Sequence, residues 1–365
     1  MEIRVKRSSL LSELIPMQGI VERRTTIPVL SHILLRAEDE RLHLASTDLD
    51  VSLTSSCEAE QSSAGAIAVQ ARKFVEIIRA VNAEDVSLEL EDEKRLRIDA
   101  GNSHFKINGL AAEDFPTLPQ VLSDEELTIP FDLMKRAIGR VIFAVSTEES
   151  RFQLNGALLK LNDGGLELVA TDGHRLALIE NDLPGCKAAD GVLVPRKALQ
   201  ELQRFEDEGD MSFRRSEHHL SFRLGTRELI CRILEGTFPD YNRVISKEND
   251  RQAVFDKKAL SQAVQRVALL TGDRTRAVRL ALVKGNLTIT AANPDLGEAM
   301  EELPCDYDGE ELKIGMNPDY LVHFLSALDT DKVRLDLKDE NTQCIGYPVD
   351  GEDKRYLCVI MPMRI

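Results

Sequence analysis

The residues able to do chemistry in this 365-residue chain fall into a few small groups. Asp172, His174 and Arg175 lie within four positions of one another, and an Asp/His pair can move a proton to or from a substrate. Residues two apart on a strand would point to one face, but no third member of a catalytic set follows, and the related stretch Asp48-Leu49-Asp50 has no His. His218-His219 falls in a predicted polar turn, where solvated imidazoles are expected rather than a metal site. The six cysteines (Cys57, Cys186, Cys231, Cys305, Cys344, Cys358) form no CxxC pair, so neither zinc nor a disulfide framework is signalled, and buried reduced thiols are expected. No Walker A, GxGxxG or HExxH pattern occurs. No catalytic residue, metal or cofactor is therefore assigned.

The elements that position these residues repeat. Leu42-His43-Leu44-Ala45-Ser46-Thr47-Asp48 recurs as Leu166-Glu167-Leu168-Val169-Ala170-Thr171-Asp172, and more faintly as Leu287 to Asn293. Thr47 to Thr171 is 124 residues and Thr171 to Asn293 is 122. Ala71, Pro195 and Asn317 keep the same two spacings, and Phe115-Pro116, Phe238-Pro239 and Met361-Pro362 repeat at 123. Three anchors in one register mean three tandem domains, placed at residues 1–122, 123–250 and 251–365. Each reads as an α+β unit of two βαβββ halves, with helices such as Phe131 to Phe143 and Arg196 to Phe205.

The composition is that of a globular protein: 43% apolar, 30% charged, 5% aromatic and no Trp. Met1-Glu2-Ile3-Arg4 lacks a signal-peptide pattern and charges break every apolar run, so a cytoplasmic protein with no membrane partner is expected. The net charge of −16 argues against nucleic acid only if it is evenly spread. It is not. The six helical segments with their ends hold eighteen Lys and Arg against eight Asp and Glu, whereas the rest holds 28 against 54. The helices are +10 and the remainder −26, although the segment from Asn317 to Leu328 has no Lys or Arg. Either these cations solvate exposed helix faces or, with all helices on one face, they form a surface for a polyanion. No helix-turn-helix, zinc finger or RNP pattern is present, which disfavours a transcription factor and makes any DNA contact sequence-independent. A closed ring of six helices is about 17 Å across between axes, too narrow for a duplex about 20 Å wide. Twelve helices give roughly 30 to 38 Å, so two copies, head to tail, are the smallest ring that works.

Ala170-Thr171-Asp172-Gly173-His174-Arg175-Leu176-Ala177, Gly236-Thr237-Phe238-Pro239-Asp240-Tyr241 and Val359-Ile360-Met361-Pro362-Met363-Arg364-Ile365 closely resemble the β sliding clamp (DNA polymerase III beta subunit) family. Val69-Gln70-Ala71-Arg72-Lys73-Phe74 and Val194-Pro195-Arg196-Lys197 do so too, and the resemblance runs from Met1 to Ile365. It implies three tandem DNA-clamp domains in a closed head-to-tail dimeric ring, helices inside and sheets outside. It also implies a non-catalytic processivity factor that encircles duplex DNA and tethers replicative and repair polymerases. The partners implied are the polymerase catalytic subunit, the clamp loader, translesion polymerases, mismatch-repair proteins and ligase.

By the same resemblance a partner-peptide cleft comprises Leu154, Thr171, Gly173, His174, Arg175, Leu176, Pro239, Arg243, Val244, Tyr320, Val359, Met361, Pro362, Met363 and Arg364. Its apolar and Met side chains suit varied short peptides, with Arg175, Arg243 and Arg364 expected on the rim; equally, an apolar C-terminus could simply complete an edge strand. The DNA-facing residues implied are Arg24, Arg72, Arg79, Arg151, Arg196, Lys197, Arg204 and Arg266, beside Phe152-Gln153 where the family pattern has paired tyrosines. The subunit interface implied pairs Phe105 and Ile107 with Leu269 and Leu270, with Asn102 and His104 where arginines are expected.

Overall fold

A computed structural model describes residues 1–365 except Arg23, Arg24, Asp124, Asp207, Asp273, Arg274, Thr275, Glu352, Lys354 and Ile365. Among the described residues six half-repeats follow one another, each a strand, a helix and three strands. The first repeat is β1 (Glu2–Lys6), α1 (Arg7–Ile20), β2 (His32–Glu38), β3 (Arg41–Thr47), β4 (Val51–Ser63), then β5 (Gly65–Gln70), α2 (Ala71–Ala80), β6 (Asp85–Asp92), β7 (Arg95–Ala100) and β8 (Ser103–Ala111). The second is β9 (Glu126–Pro130), α3 (Phe131–Val141), β10 (Gly156–Asn162), β11 (Gly165–Thr171), β12 (Arg175–Asp182), then β13 (Ala189–Pro195), α4 (Arg196–Gln203), β14 (Asp210–Arg215), β15 (His219–Leu224) and β16 (Arg227–Arg232). The third is β17 (Arg251–Asp256), α5 (Lys257–Ala268), β18 (Val278–Val283), β19 (Asn286–Asn293), β20 (Gly297–Pro304), then β21 (Leu312–Met316), α6 (Pro318–Ser326), β22 (Lys332–Leu337), β23 (Cys344–Val349) and β24 (Arg355–Ile360).

Local chemistry starts α2, α5 and α6 at the ends of their leading strands. The Gln70, Asp256 and Asn317 side chains accept hydrogen bonds from Lys73 N (2.7 Å), Ala259 N (2.7 Å) and Asp319 N (2.9 Å), satisfying amides that have no partner in the first turn. One face of each helix is apolar. In α5, Leu260, Ala263, Val264 and Val267 recur at helical spacing and are buried, and each Leu or Val contributes roughly 1.5–3 kcal/mol. The opposite face keeps Lys258 and Arg266 in solvent. The helical segments end earlier than their cationic flanks: α1 stops at Ile20 and α5 at Ala268.

The chain divides into two compact units. Met1–Met134 with Lys197–Ile233 form one, built on a twelve-stranded sheet ordered β1-β6-β7-β8-β5-β2-β3-β4-β16-β15-β14-β9. Lys135–Arg196 with Leu234–Ile365 form the other, holding an eight-stranded sheet (β13-β10-β11-β12-β24-β23-β22-β17) and a four-stranded sheet (β20-β19-β18-β21). The middle repeat is shared between the units because its sheets continue into its neighbours. β16 pairs with β4 from Glu228↔Thr54 to Cys231↔Val51, and β24 pairs with β12 from Arg355↔Glu180 to Ile360↔Arg175. Among the described residues no helix is long and apolar enough to cross a membrane.

Candidate functional site

The second unit holds a cleft of about 160 Å³, built at the β11–β12 turn. Residues 172–174 form that turn, so Asp172 and His174 do not lie on a strand as the sequence suggested. Asp172 Oδ1 accepts from His174 N (2.9 Å) and Arg175 N (3.0 Å), and Thr171 Oγ1 donates to Arg175 O (2.7 Å) while accepting from Gly173 N (3.1 Å). Gly173 has φ +89°, a conformation that favours glycine. These bonds fix Thr171 and Leu176 opposite each other in register, and Val359 pairs with Leu176 on the other side. The short helix Tyr241–Arg243, capped by Asp240, closes a third wall.

Leu154, Thr171, Gly173, Arg175, Leu176, Pro239, Val244, Val359 and Met361 line the cleft together, although they come from four stretches of the chain. The structure adds Asp240 and Tyr241. Tyr241 is buried over Val169, Leu178 and Leu357, and its hydroxyl donates to the buried Glu167 carboxylate. Burial, followed by that carboxylate, pushes the Tyr241 pKa up, so the hydroxyl stays a donor. The Phe238-Pro239-Asp240-Tyr241 motif was the sequence signal for it.

Arg175 does not stand free on the rim. Its side chain is 9% exposed, its Nε lies 3.0 Å from Asp172 Oδ2, and its Nη1 lies 2.8 Å from His323 Nδ1. The guanidinium also lies over Tyr320 (4.5 Å) and Phe143 (5.3 Å). It is a wall, and of the residues that hold it only His323 and Phe143 had no sequence signal. Burial, then the Arg175 charge, lowers the His323 pKa. The rings of His174 and Tyr320 stack beside the cleft, 6.4 Å between centroids. Arg243 does stand on the rim, 84% exposed and paired with Asp240 (3.0 Å). The tail is fixed by Met361 N donating to His174 O (2.9 Å) and Met363 N to Gly315 O (2.8 Å). Pro362 is half-buried, while Met363 and Arg364 line a neighbouring hollow.

The cationic candidates are spread along helices and loops. Arg24 lies outside the described residues. Arg72 and Arg79 are exposed on α2, with Arg72 Nε 2.9 Å from Glu76 Oε1. Arg151 is paired with Glu148 (3.5 Å) and donates to Asp172 O (3.3 Å). Arg196 is half-buried at the start of α4. Lys197 is engaged internally, donating to Ile20 O (2.5 Å) and to the Asp48 carboxylate. Arg204 is exposed and paired with Glu201 (2.6 Å), and Arg266 with Glu301 of β20 (2.5 Å).

Phe105 and Ile107 are half-buried on β8, whose residues 103–108 pair with β7 alone among the described residues. Leu269 is 77% exposed just beyond α5, with Leu270 half-buried beside it. The edge strand β20, which sequence reasoning missed, exposes Met300 (69%) and among the described residues pairs only with β19.

Proton transfer is not supported at the turn. The Asp172 carboxylate is consumed by two backbone amides and Arg175, and His174 stacks on an aromatic ring. Five of the six free cysteines are buried, and burial pushes the Cys57 thiol up to about 11. Among the described residues no group of three or more His, Cys, Asp or Glu could hold a metal ion.

Comparison with known proteins agrees across the whole chain. Family models match in order: DNA polymerase III beta subunit, N-terminal domain, at residues 1–119; central domain at 128–240; and C-terminal domain at 242–364. The beta sliding clamp of Pseudomonas aeruginosa is 37% identical over 371 residues, covering 100% of both chains. The crystal structure of the DNA polymerase III subunit beta from Pseudomonas aeruginosa superposes with a TM-score of 0.92 at 36% identity, again over all of both chains. A DnaN sliding clamp from Bartonella birtlesii bound to griselimycin gives a TM-score of 0.95 at 34% identity and the same coverage.

Proposed function

The chain belongs to the DNA polymerase III beta subunit family and is a non-catalytic sliding clamp of three clamp domains, and from that premise we propose how its residues divide the work. The domains are residues 1–122, 123–250 and 251–365. The cleft receives a short peptide segment of a partner. The observation that carries this is the convergence of Leu154, Leu176, Val244, Val359 and Met361 on one apolar hollow with polar edges. A peptide with Leu and Phe anchors would bury them there, and the anchors would dominate affinity. A Bartonella birtlesii clamp bound to griselimycin supports a ligand-accepting surface in this family. Partners reading the cleft are the polymerase catalytic subunit, the clamp loader, translesion polymerases, mismatch-repair proteins and ligase, in the cytoplasm.

Duplex DNA passes the helices that carry Arg72, Arg79, Arg196, Lys197, Arg204 and Arg266, and Arg24 and Arg151 are assigned to the same contact. Lys197 contributes only when DNA displaces Asp48. The ring is a head-to-tail dimer, for which the sheet pattern supplies a reason. Within the chain the last strand of one half-repeat joins the last strand of another, β16 to β4 and β24 to β12. Continuing that pattern calls for β8 against β20, and both keep an open edge that a second copy would cover. Leu269 and Leu270 meet Phe105 and Ile107, whereas His104 and Lys106 on β8, held within the chain by Asp99 and Glu91, turn to Glu298 and Glu302 of β20 only by leaving those partners.

The test is deletion of residues 361–365. It removes Met361, the two tail hydrogen bonds and the Arg364 cation, so peptide affinity should vanish while dimer mass and retention on circular DNA persist. Full peptide affinity in the truncated protein refutes the cleft; loss of the dimer makes the tail structural.

A further inference from the structure

Next to the cleft lies a second hollow, of whose lining only Met363 and Arg364 were assigned to peptide binding above. It measures about 600 Å³ and is lined by Arg279, Lys313, Glu340, Met363 and Arg364, among others. Arg279 and Lys313 project from the exposed face of neighbouring strands β18 and β21, where Ala281 pairs with Lys313 and Arg279 with Gly315. Arg279 and Arg364 are exposed and have no hydrogen-bond or ion-pair partner among the described residues. Lys313 holds Glu311 at 2.7 Å, with both side chains 59% exposed. Three cations therefore line a hollow with one lining carboxylate, Glu340, while Glu311 holds Lys313 from outside the lining, in a chain whose net charge is −16.

The hollow is continuous with the cleft along the backbone. Met361 lines the cleft and Met363 lines the hollow, two residues apart, which spans at most about 7 Å. The hydrogen bonds from Met361 N to His174 O and from Met363 N to Gly315 O hold the tail as a bridge between the two. A peptide anchored in the cleft needs only two or three further residues to reach the guanidinium groups.

We propose that this hollow binds acidic residues flanking the apolar anchors of a partner peptide, Arg279, Lys313 and Arg364 receiving their carboxylates. The inference rests on the cleft reading above. Guanidinium groups donate two parallel hydrogen bonds to a carboxylate, and exposed pairs of this kind are weakened by salt. The hollow thus selects among peptides that share the same anchors, favouring those with Asp or Glu beside them.

The probes are synthetic peptides with Leu and Phe anchors and either three Asp or three Ser residues, placed at each end in turn. On the full-length protein one Asp-tailed peptide should bind about three- to tenfold more tightly than its Ser-tailed counterpart at low salt, and the gain should shrink towards onefold at high salt. Arg279→Ala combined with Lys313→Ala should abolish most of that gain without changing affinity for the Ser-tailed peptides, which also reports that the variant is folded. Equal binding of Asp- and Ser-tailed peptides at both ends overturns the inference while leaving the cleft intact. A gain that survives in the double variant also overturns it, because the acids are then read elsewhere. Failure of the Ser-tailed peptides to bind the wild-type protein refutes the cleft reading and this inference together.

Discussion

Removing one guanidinium at the seam between the first and second repeats should loosen that seam far more than a surface charge would. Arg227 opens β16 and is 9% exposed; the Glu13 carboxylate of α1 that it meets is 11% exposed. Nε donates to Glu13 Oε2 at 2.8 Å, and Nη2 to Glu13 Oε1 at 3.0 Å and to Ser12 O at 3.2 Å. The guanidinium carbon also lies 5.7 Å from the centre of the Phe205 ring. Arg227→Ala leaves the largely covered Glu13 carboxylate with two neutral side-chain donors, Ser55 Oγ (2.5 Å) and Ser12 Oγ (3.3 Å), and no cation. An uncompensated buried charge of this kind costs about 3–5 kcal/mol. Near neutral pH that penalty falls on the paired arrangement of β16 with β4, so amides of residues 228–231 should exchange with solvent about a hundred to a few thousand times faster. Replacing both partners, Glu13→Leu with Arg227→Met, removes the charge and the cost together and should restore protection to within about tenfold of wild type. Native-state hydrogen exchange on the three proteins measures this. Protection in Arg227→Ala within tenfold of wild type, or a double variant as labile as the single one, refutes the reasoning.

Further outcomes are specific. Leu269→Asp with Leu270→Asp should yield a folded monomer by sedimentation, because in the proposed dimer those side chains meet the partner's β8; an unchanged dimer mass places the interface elsewhere. Reversing Arg72, Arg79 and Arg196 to Glu should weaken DNA association for all sequences alike and flatten its log–log salt slope by about one per lost phosphate contact; an unchanged slope means these helices do not face DNA. Burial and Arg175 hold the His323 pKa below its ordinary value of 6.5, so the fold favours the neutral ring and loses stability as pH falls through 6.5 towards the lowered value. His323→Gln should abolish the part of the decline between pH 7 and 5 that His323 contributes, measured as thermal midpoints; an identical decline in the variant assigns it to other groups.

Much of the architecture follows from local pattern. The 122–124-residue spacings, the alternating strands and the apolar helical faces depend on neighbours within a few residues, so three repeats and six helices were legible before any fold was known. The Asn162-Asp163-Gly164-Gly165 turn shows why: Gly164 supplies φ +74°, and Asn162 then pairs with Gly165. The cleft residues were legible only through motifs shared with a known family, since no local rule brings Leu154, Val244 and Met361 together. Tertiary structure decided what each charged group does. Arg175, Lys197 and Arg266 are alike in sequence as exposed cations, yet Asp172, Asp48 and Glu301 hold them, two of these partners coming from elements far away in the chain. The open edge of β20 was equally invisible, because an edge is defined by the strand that fails to arrive. The sequence by itself determines which segments become strands and helices and that they repeat. Only folding decides which carboxylate reaches which guanidinium, because that depends on distances of a few ångströms between residues tens or hundreds of positions apart.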